Sequence, residues 1–419
     1  MHKQLPALAL TAAVFFGCAT HPAAAAAADE RLLAAARVAQ PALIESLREM
    51  VAIESGTMDS AGLMRMADDV ERRLKALGAK VERIKASVGH SDVLVASFTG
   101  SGRRRLMLLG HMDTVYWPGT ITSQPIKQDG NRLYGPGIAD DKGGLAVMLH
   151  AVALLHASGW RDYARLTLLV NGDEESGSLG SGEMIAALAD AHDSVLSFEP
   201  TAATTTPQGE GVLLNAAGAT QLTMQVKGRS SHAGAAPQLG RNALIELAHQ
   251  MLQTQDVAKG VPGAQLNWTT LETGKTRNQI PELATAGADV RLTHVDAAAK
   301  LLSAMRTKVA ESRRVPDTET SLTMGEGRPP FVGDARTMAM AKKAQAVYAE
   351  LDGRKLALHP ITGGGTDAGY AARSGKAAVL ESLGLPGAGY HARDEYIEID
   401  TIVPRLYLTS RMLIELGRE

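Results

Sequence analysis

Short apolar runs that stop abruptly at an acidic or histidine-bearing turn constrain this chain more than anything else in it. Leu106 to Leu109 runs into His111-Met112-Asp113, Leu166 to Val170 into Asn171-Gly172-Asp173-Glu174-Glu175, and Val195 to Ser197 into Phe198-Glu199-Pro200. Runs of this length suit strands better than helices. Between and before them the apolar spacing is helical. Leu43, Leu47 and Met50, then Met64, Ala67, Val70 and Leu74, predict two helices between Pro41 and Leu77 with Gly78 as a stop, and Gly144 to Ala157 predicts a third. Strands alternating with helices imply an α/β domain with a mostly parallel sheet flanked by helices. Such sheets place ligand sites beyond the ends of their strands, where these polar turns fall.

Near Gly218 the texture changes. Thr220 to Val226 alternates, and it is followed by a helix from Asn242 to Gln253, strands near Asn267 to Leu271 and Ala284 to Leu292, and a helix from Ala297 to Val309. The order β, α, β, β, α, β predicts an inserted α+β two-layer unit. After Arg328-Pro329-Pro330 the chain resumes with a helix from Ala335 to Leu351 and closes with one around Arg405 to Leu416. The expected division is an export signal over 1–28, a catalytic domain in two pieces, 29–216 and 329–419, and the insert at 217–328. A length of 419 residues accommodates this at about 150 residues per domain.

The amino terminus has a short positive start (His2, Lys3), an apolar stretch from Leu5 to Phe16 and an alanine run from Ala23 to Ala28. That pattern is a secretory signal, expected to be cleaved near Ala28, and it places the protein in the periplasm or outside the cell. The apolar part is shorter than the ~20 residues a membrane span needs, and no other stretch supplies one. Lipid attachment at Cys18 is the weaker alternative, because Phe15-Phe16 fits a lipoprotein signal poorly. One cysteine excludes an intramolecular disulfide and a cysteine-rich zinc site, so a metal would have to be held by histidines and carboxylates. With 43 Lys and Arg against 45 Asp and Glu, the chain lacks the broad positive field that nucleic acid requires, and a small, locally bound substrate is expected.

In an extended segment, residues two apart face the same way, so Asp113 can sit behind His111 and fix its ring. The run Gly135-Pro136-Gly137-Ile138-Ala139-Asp140-Asp141-Lys142-Gly143-Gly144 is a glycine-rich turn opening a helix, and Gly389-Tyr390-His391 offers a second imidazole. Taken singly, each turn reads as solvated surface. Together, two histidines and three carboxylates at strand ends of one sheet form a nitrogen and oxygen ligand set suited to Zn²⁺, with Mn²⁺ or Co²⁺ as alternatives. Two ions served by so few groups need a shared, bridging carboxylate. The adjacent Glu174 and Glu175 allow a division of labour, one binding metal while the other takes a proton from activated water. Asp173 reads as an ordinary exposed acid of the turn.

Several runs occur in one order: His111-Met112-Asp113-Thr114-Val115, Gly135 to Gly144, Asp173-Glu174-Glu175, Ser197-Phe198-Glu199-Pro200, Ser231-His232-Ala233-Gly234 and Gly363-Gly364-Gly365-Thr366-Asp367. Through them the chain resembles, from about Pro41 to Leu416, the co-catalytic zinc metallopeptidases that include aminoacylase, acetylornithine deacetylase and carboxypeptidase G. The likeness is greatest to the glutamate-releasing carboxypeptidase G, through Tyr134 to Gly144, Ser231 to Pro237 and Glu381 to Gly387. The resemblance implies two zinc ions per subunit bridged by Asp140, with His111 and Glu199 completing one site and Glu175 and His391 the other. It implies Glu174 as general base, Asp113 as the partner of His111, and a cis peptide between Asp140 and Asp141. The insert would be a lid and dimerisation domain whose His232 reaches the active site of the partner subunit and stabilises the oxyanion, so that a homodimer is required. Asn278, Arg291 and Arg328, with the backbone of Gly363, Gly364 and Gly365, would grip the free carboxylate of a small peptide or N-acyl amino acid. Without the resemblance, Arg291 and Arg328 would read as surface ion pairs.

One departure bears on specificity. The carboxypeptidase G pattern has a lysine and a serine in the strand before the insert, used for the side chain of the released glutamate, whereas here that region reads Gly211-Val212-Leu213-Leu214-Asn215. Release of glutamate is expected from the resemblance. The alternative is a broad N-acyl-amino-acid amidohydrolase or dipeptidase releasing apolar residues, with Val212, Leu213 and Leu214 lining the pocket. A metal-dependent binding protein without turnover is the rival from another class, and the intact Glu174 argues against it.

Overall fold

The structure, a computed structural model, describes residues 27–419; the apolar segment Leu5 to Phe16 and Cys18 lie outside the described residues. Its main sheet has six strands in the order Lys80–Lys85, Asp92–Thr99, Arg165–Asn171, Arg105–His111, Ser194–Ser197 and Ala378–Leu380. The last four run parallel and the first two join antiparallel. Parallel strands buried on both faces read as unbroken apolar runs, and side-chain alternation sorts those runs into two cores. Leu106, Leu108, Leu166, Leu168 and Val170 enter one, while Met107, Leu109 and Leu169 enter the other. The first core is covered by helices Glu30–Ala52, Ser60–Ala76, Lys142–Ala157, Ala335–Ala349 and Ile402–Arg418, and the second by Gly182–Ala189 and Ala368–Ala372.

The first helix departs from the expectation of a start near Pro41. It begins at Glu30, where the Asp29 side chain accepts hydrogen bonds from the amides of Arg31 and Leu32 at 3.1 Å each, and it continues through Pro41. A proline inside a helix costs ~3 kcal/mol. The turns ahead of it bury Leu32, Leu33 and Ala36, and at ~1.5–3 kcal/mol per large apolar side chain that burial outweighs the penalty.

The insert is a four-stranded antiparallel sheet in the order Ala264–Thr273, Leu283–Leu292, Gly218–Lys227 and Glu319–Met324. Helices Ala243–Thr254 and Ala297–Glu311 pack on it around Leu222, Met224, Val226, Leu247, Leu301 and Met305. Asn242 caps the first of these helices, accepting from Ile245 N at 3.3 Å. The chain leaves and re-enters the main body at one place, because Asn215–Ala216 pairs antiparallel with Phe331–Val332.

Two features had no signature in the sequence. A five-stranded sheet joins Lys127–Asp129, Arg132–Tyr134, Tyr396–Glu398, Pro386–Ala388 and Thr201–Ala202, and a two-residue ribbon pairs Ser231–His232 with Gln279–Ile280. Strands of two or three residues are too short to show a period. Among the described residues, no helix is long and apolar enough to cross a membrane.

Candidate active site

The ends of the central strands and their following turns deliver the acidic cluster. His111 ends its strand, Glu174 and Glu175 lie on the 3-10 turn after Arg165–Asn171, and Glu199 follows Ser194–Ser197. Asp140 comes from the glycine-rich turn ahead of helix Lys142–Ala157. Gly137 of that turn has a φ of +69°, and a Cβ at Gly144 would run into the Phe198 carbonyl, which accounts for two of its glycines. The Asp140-Asp141 peptide is cis. His391 is carried by the tight turn between strands Pro386–Ala388 and Tyr396–Glu398 of the small sheet.

Two trios of ligand atoms form, His111 with Asp140 and Glu199, and Asp140 with Glu175 and His391, each within 4.8 Å of one another. Asp140 belongs to both through different oxygens: Oδ1 lies 3.0 Å from His111 Nε2, and Oδ2 lies 3.3 Å from His391 Nε2. His111 Nε2 is 3.6 Å from Glu199, and His391 Nε2 is 3.2 Å from Glu175. Asp113 stands behind His111, with Oδ1 3.2 Å from Nδ1, which leaves Nε2 facing the cluster. The same carboxylate accepts from the amides of Glu174 and Glu175 at 3.2 and 3.1 Å and from the Thr57 hydroxyl at 2.7 Å.

The electrostatics are those of a place built for cations. Burial raises Glu199, and the neighbouring charges of Glu174 and Asp140 raise it further; burial raises Glu175 as well. Burial would also raise Asp140, but hydrogen bonds from His111 and His391 outweigh it and hold that carboxyl below its ordinary range. Burial alone would depress His111, yet Asp113, Asp140 and Glu199 lift it well above the usual imidazole value, and Asp140 and Glu175 lift His391 to about 10. Carboxylates crowded until they perturb one another call for compensating positive charge. Glu175 Oε1 is buried with no hydrogen-bond partner, which suits a metal ligand. The nitrogen and oxygen donor set therefore fits a pair of zinc ions.

Glu174 is buried beside the cluster, and burial raises its pKa to about 8 against the opposing pull of Arg328. Arg328 Nη1 donates to Glu174 Oε1 at 2.5 Å, and Nη2 donates to the Glu174 carbonyl. These residues open onto a cavity of about 1050 Å³ that is also lined by Arg291, Gly364 and Gly365. Arg291 is paired with Asp289 at 2.9 Å. Gly363 is not among the residues that line the cavity. Asn278 and His232 do not line it; they stand together at the end of the short ribbon, where Ala233 N donates to the Asn278 carbonyl at 2.8 Å. His232 is exposed, and its Nδ1 accepts from the amides of Gly234 and Ala235 at 3.2 and 3.0 Å, so the neutral ring carries its proton on Nε2.

Two expectations are corrected. Of Val212, Leu213 and Leu214, only Leu213 lines the cavity; side-chain alternation turns Val212 and Leu214 into the opposite core. Asp173 is buried rather than exposed, accepting from Gly180 N at 2.7 Å, Ser181 N at 3.2 Å and Ser181 Oγ at 2.6 Å ahead of helix Gly182–Ala189. Thr57, Tyr116 and Glu395, which brace the cluster, were not anticipated: Tyr116 directly follows the run His111 to Val115 and Glu395 lies just beyond His391, but nothing along the chain shows that these side chains turn back onto the site.

The sequence profile described as peptidase family M20/M25/M40 matches residues 107–415. The chain is 42% identical over 394 residues to carboxypeptidase G2 of Pseudomonas sp. (strain RS-16), covering 93% of this chain and 92% of that protein. It is 30% identical over 326 residues to succinyl-diaminopimelate desuccinylase of Gluconobacter oxydans (strain 621H), covering 74% of this chain and 81% of that one. The fold matches that of an M20 family metallo-carboxypeptidase from Sulfolobus solfataricus, with a TM-score of 0.72 at 18% identity over 90% of this chain and 99% of that one.

Proposed function

The chain belongs to peptidase family M20/M25/M40, and from that premise we propose that it is a zinc-dependent carboxypeptidase of the carboxypeptidase G type, hydrolysing the amide bond to a C-terminal amino acid. The observation that carries the reading is the meeting of two ligand trios on the two oxygens of Asp140. His111, Asp140 and Glu199 would hold one ion, and Asp140, Glu175 and His391 the other. When bound, the ions supply Lewis acidity that polarises a carbonyl and makes water acidic enough to attack it. Glu174 takes the proton of the attacking water and passes it to the leaving amine, a role suited to a carboxyl whose pKa burial has moved towards neutrality. Arg328, Arg291 and the Gly363–Gly365 backbone bind the substrate carboxylate; Arg328 must then exchange part of its contact with Glu174 for the substrate.

We place the oxyanion donor on His232 of the partner subunit, with Asn278 beside it. The free Nε2 proton of His232 supports this, as does its absence from the lining of the cavity of its own chain. The homodimer would form through the insert, where strand Ala264–Thr273 is an edge strand and Ile245 and Leu252 are exposed on helix Ala243–Thr254. The amino-terminal signal pattern supports a periplasmic or secreted location.

Glutamate is the released residue that the kinship with carboxypeptidase G2 favours. A second reading, release of an apolar residue, is favoured by the cavity wall of Leu213, Pro360 and Ile361. Steady-state kinetics on N-acylated Glu, Phe, Leu and Ala decide between them: a higher kcat/KM for Phe or Leu discards glutamate. The hydrolytic reading is tested with Glu174→Gln, expected to retain zinc while losing at least 10²-fold in kcat. Full activity with metal retained would remove Glu174 from the mechanism.

A further inference from the structure

Glu395 is a carboxylate that the mechanism above does not use, and it is 1% exposed. Its Oε1 accepts from the amides of Ala139 and Asp140 at 2.8 and 3.0 Å, and its Oε2 accepts from Gly137 N at 2.8 Å and the Tyr116 hydroxyl at 2.7 Å. Two carboxylate oxygens offer about four acceptor positions; three backbone amides take three of them, and the Tyr116 hydroxyl, whose single hydrogen is shared between Oε2 and the Ala392 carbonyl, meets the fourth, which leaves no open position for a metal. The main chain is tied to the same loop, since Gly135 N donates to the Glu395 carbonyl at 3.2 Å just beyond the ladder of Arg132–Tyr134 with Tyr396–Glu398. Tyr116 lies on the segment after His111, and its hydroxyl is also 2.8 Å from the Ala392 carbonyl.

Glu395 is therefore the base of the turn whose tip is His391. That turn is tight: Gly389 has φ +79°, His391 has φ +60°, and Ala392 N donates to the Gly389 carbonyl at 2.9 Å. A non-glycine residue at positive φ is uncommon and must be held by its surroundings. His111 and Glu199 need no such support, because both sit at ends of central strands and His111 has Asp113 behind it.

Resting on the two-metal reading of the site, we propose that Glu395, together with Tyr116, is the positioning unit for the metal position made by Asp140, Glu175 and His391. One carboxylate fixes the backbone of the bridging aspartate and the base of the His391 turn, so both parts of that position move if it is lost.

The test compares zinc retention by the full, zinc-loaded protein during dialysis against graded chelator, with metal content measured directly. Glu395→Gln places an amide nitrogen against at least one backbone N–H whichever way the amide is turned, that of Gly137 in one orientation and those of Ala139 and Asp140 in the other. It is expected to lose one of its two ions at ~10–100-fold lower chelator than the unaltered protein while keeping the other, the usual scale for removing a group that supports a ligand. The accompanying fall in kcat should be recovered by added zinc. Tyr116→Phe removes a single donor without disturbing the backbone, and should shift the same ion in the same direction by a smaller factor; it decides the matter alone if Glu395→Gln does not fold. Retention of both ions as in the unaltered protein, or equal weakening of both, overturns the proposal. An unaltered protein that holds fewer than two ions would instead overturn the two-metal reading, a different result from an unshifted variant.

Discussion

Asp113 serves four partners with two oxygens: the His111 ring, the amides of Glu174 and Glu175, and the Thr57 hydroxyl. It thereby sets the tautomer of one proposed metal ligand and the place of another, together with the general base between them. Asp113→Asn keeps the size and removes the charge, so metal affinity should fall ~10–100-fold at the His111 position, measured by competition with a chromogenic chelator. An unchanged affinity would reduce Asp113 to a structural hydrogen-bond acceptor. The place of Asp113 behind His111 was legible because it lies two residues from His111 in an extended segment; Thr57 was not, because it lies in the turn between two helices. The same alternation that exposed Asp113 separates Leu213 from Val212 and Leu214, and it could not be applied until the strand's neighbours on each face were known.

Helix Lys142–Ala157 joins the site to the core, since its amino end follows Asp140 and its length is buried between sheet and outer helices. It carries His150, whose Nε2 is 3.0 Å from Ser46 Oγ of the first helix. Burial, assisted by the charge of Arg73, lowers this imidazole to about 4. The unfolded chain takes up the proton near pH ~6.5, so between about 6.5 and 4 the unfolded state binds more protons than the folded one. His150 accordingly costs no stability above pH ~6.5 and progressively weakens the fold as the pH falls through that window. His150→Gln, which retains a polar partner for Ser46, should flatten the dependence of stability on pH between 4 and 6.5 in denaturant titrations; an unchanged slope would count against the assignment. Helix and strand types in this layer were readable from period. The start of the first helix was not, because an alanine-rich segment and a proline gave local signals weaker than the burial of Leu32 and Leu33.

At the scale of the whole molecule, the insert and the catalytic body share one question, which is where His232 acts. If His232 of the partner subunit completes each site, Glu174→Gln and His232→Ala proteins are each inactive, yet subunit exchange between them creates one intact site per hybrid dimer. Equal mixing should then restore roughly a quarter of the unaltered activity. Demonstrated exchange without any recovery would place His232 outside the reaction. What the amino-acid sequence determined by itself is the family and the local frame: strands and helices long enough to show a period, polar turns at strand ends, a candidate ligand set without cysteine, and the motifs that identify the family. Only the tertiary structure decided that Asp140 turns one oxygen to each histidine, that Leu213 alone of its run faces the cavity, and that Glu395 saturates its carboxylate beneath the His391 turn. The reason is physical. Periodicity and turn composition act within a few residues, whereas the small sheet that holds His391 is made of strands of two or three residues drawn from between Lys127 and Glu398, and pairings so short and so distant leave no pattern along the chain.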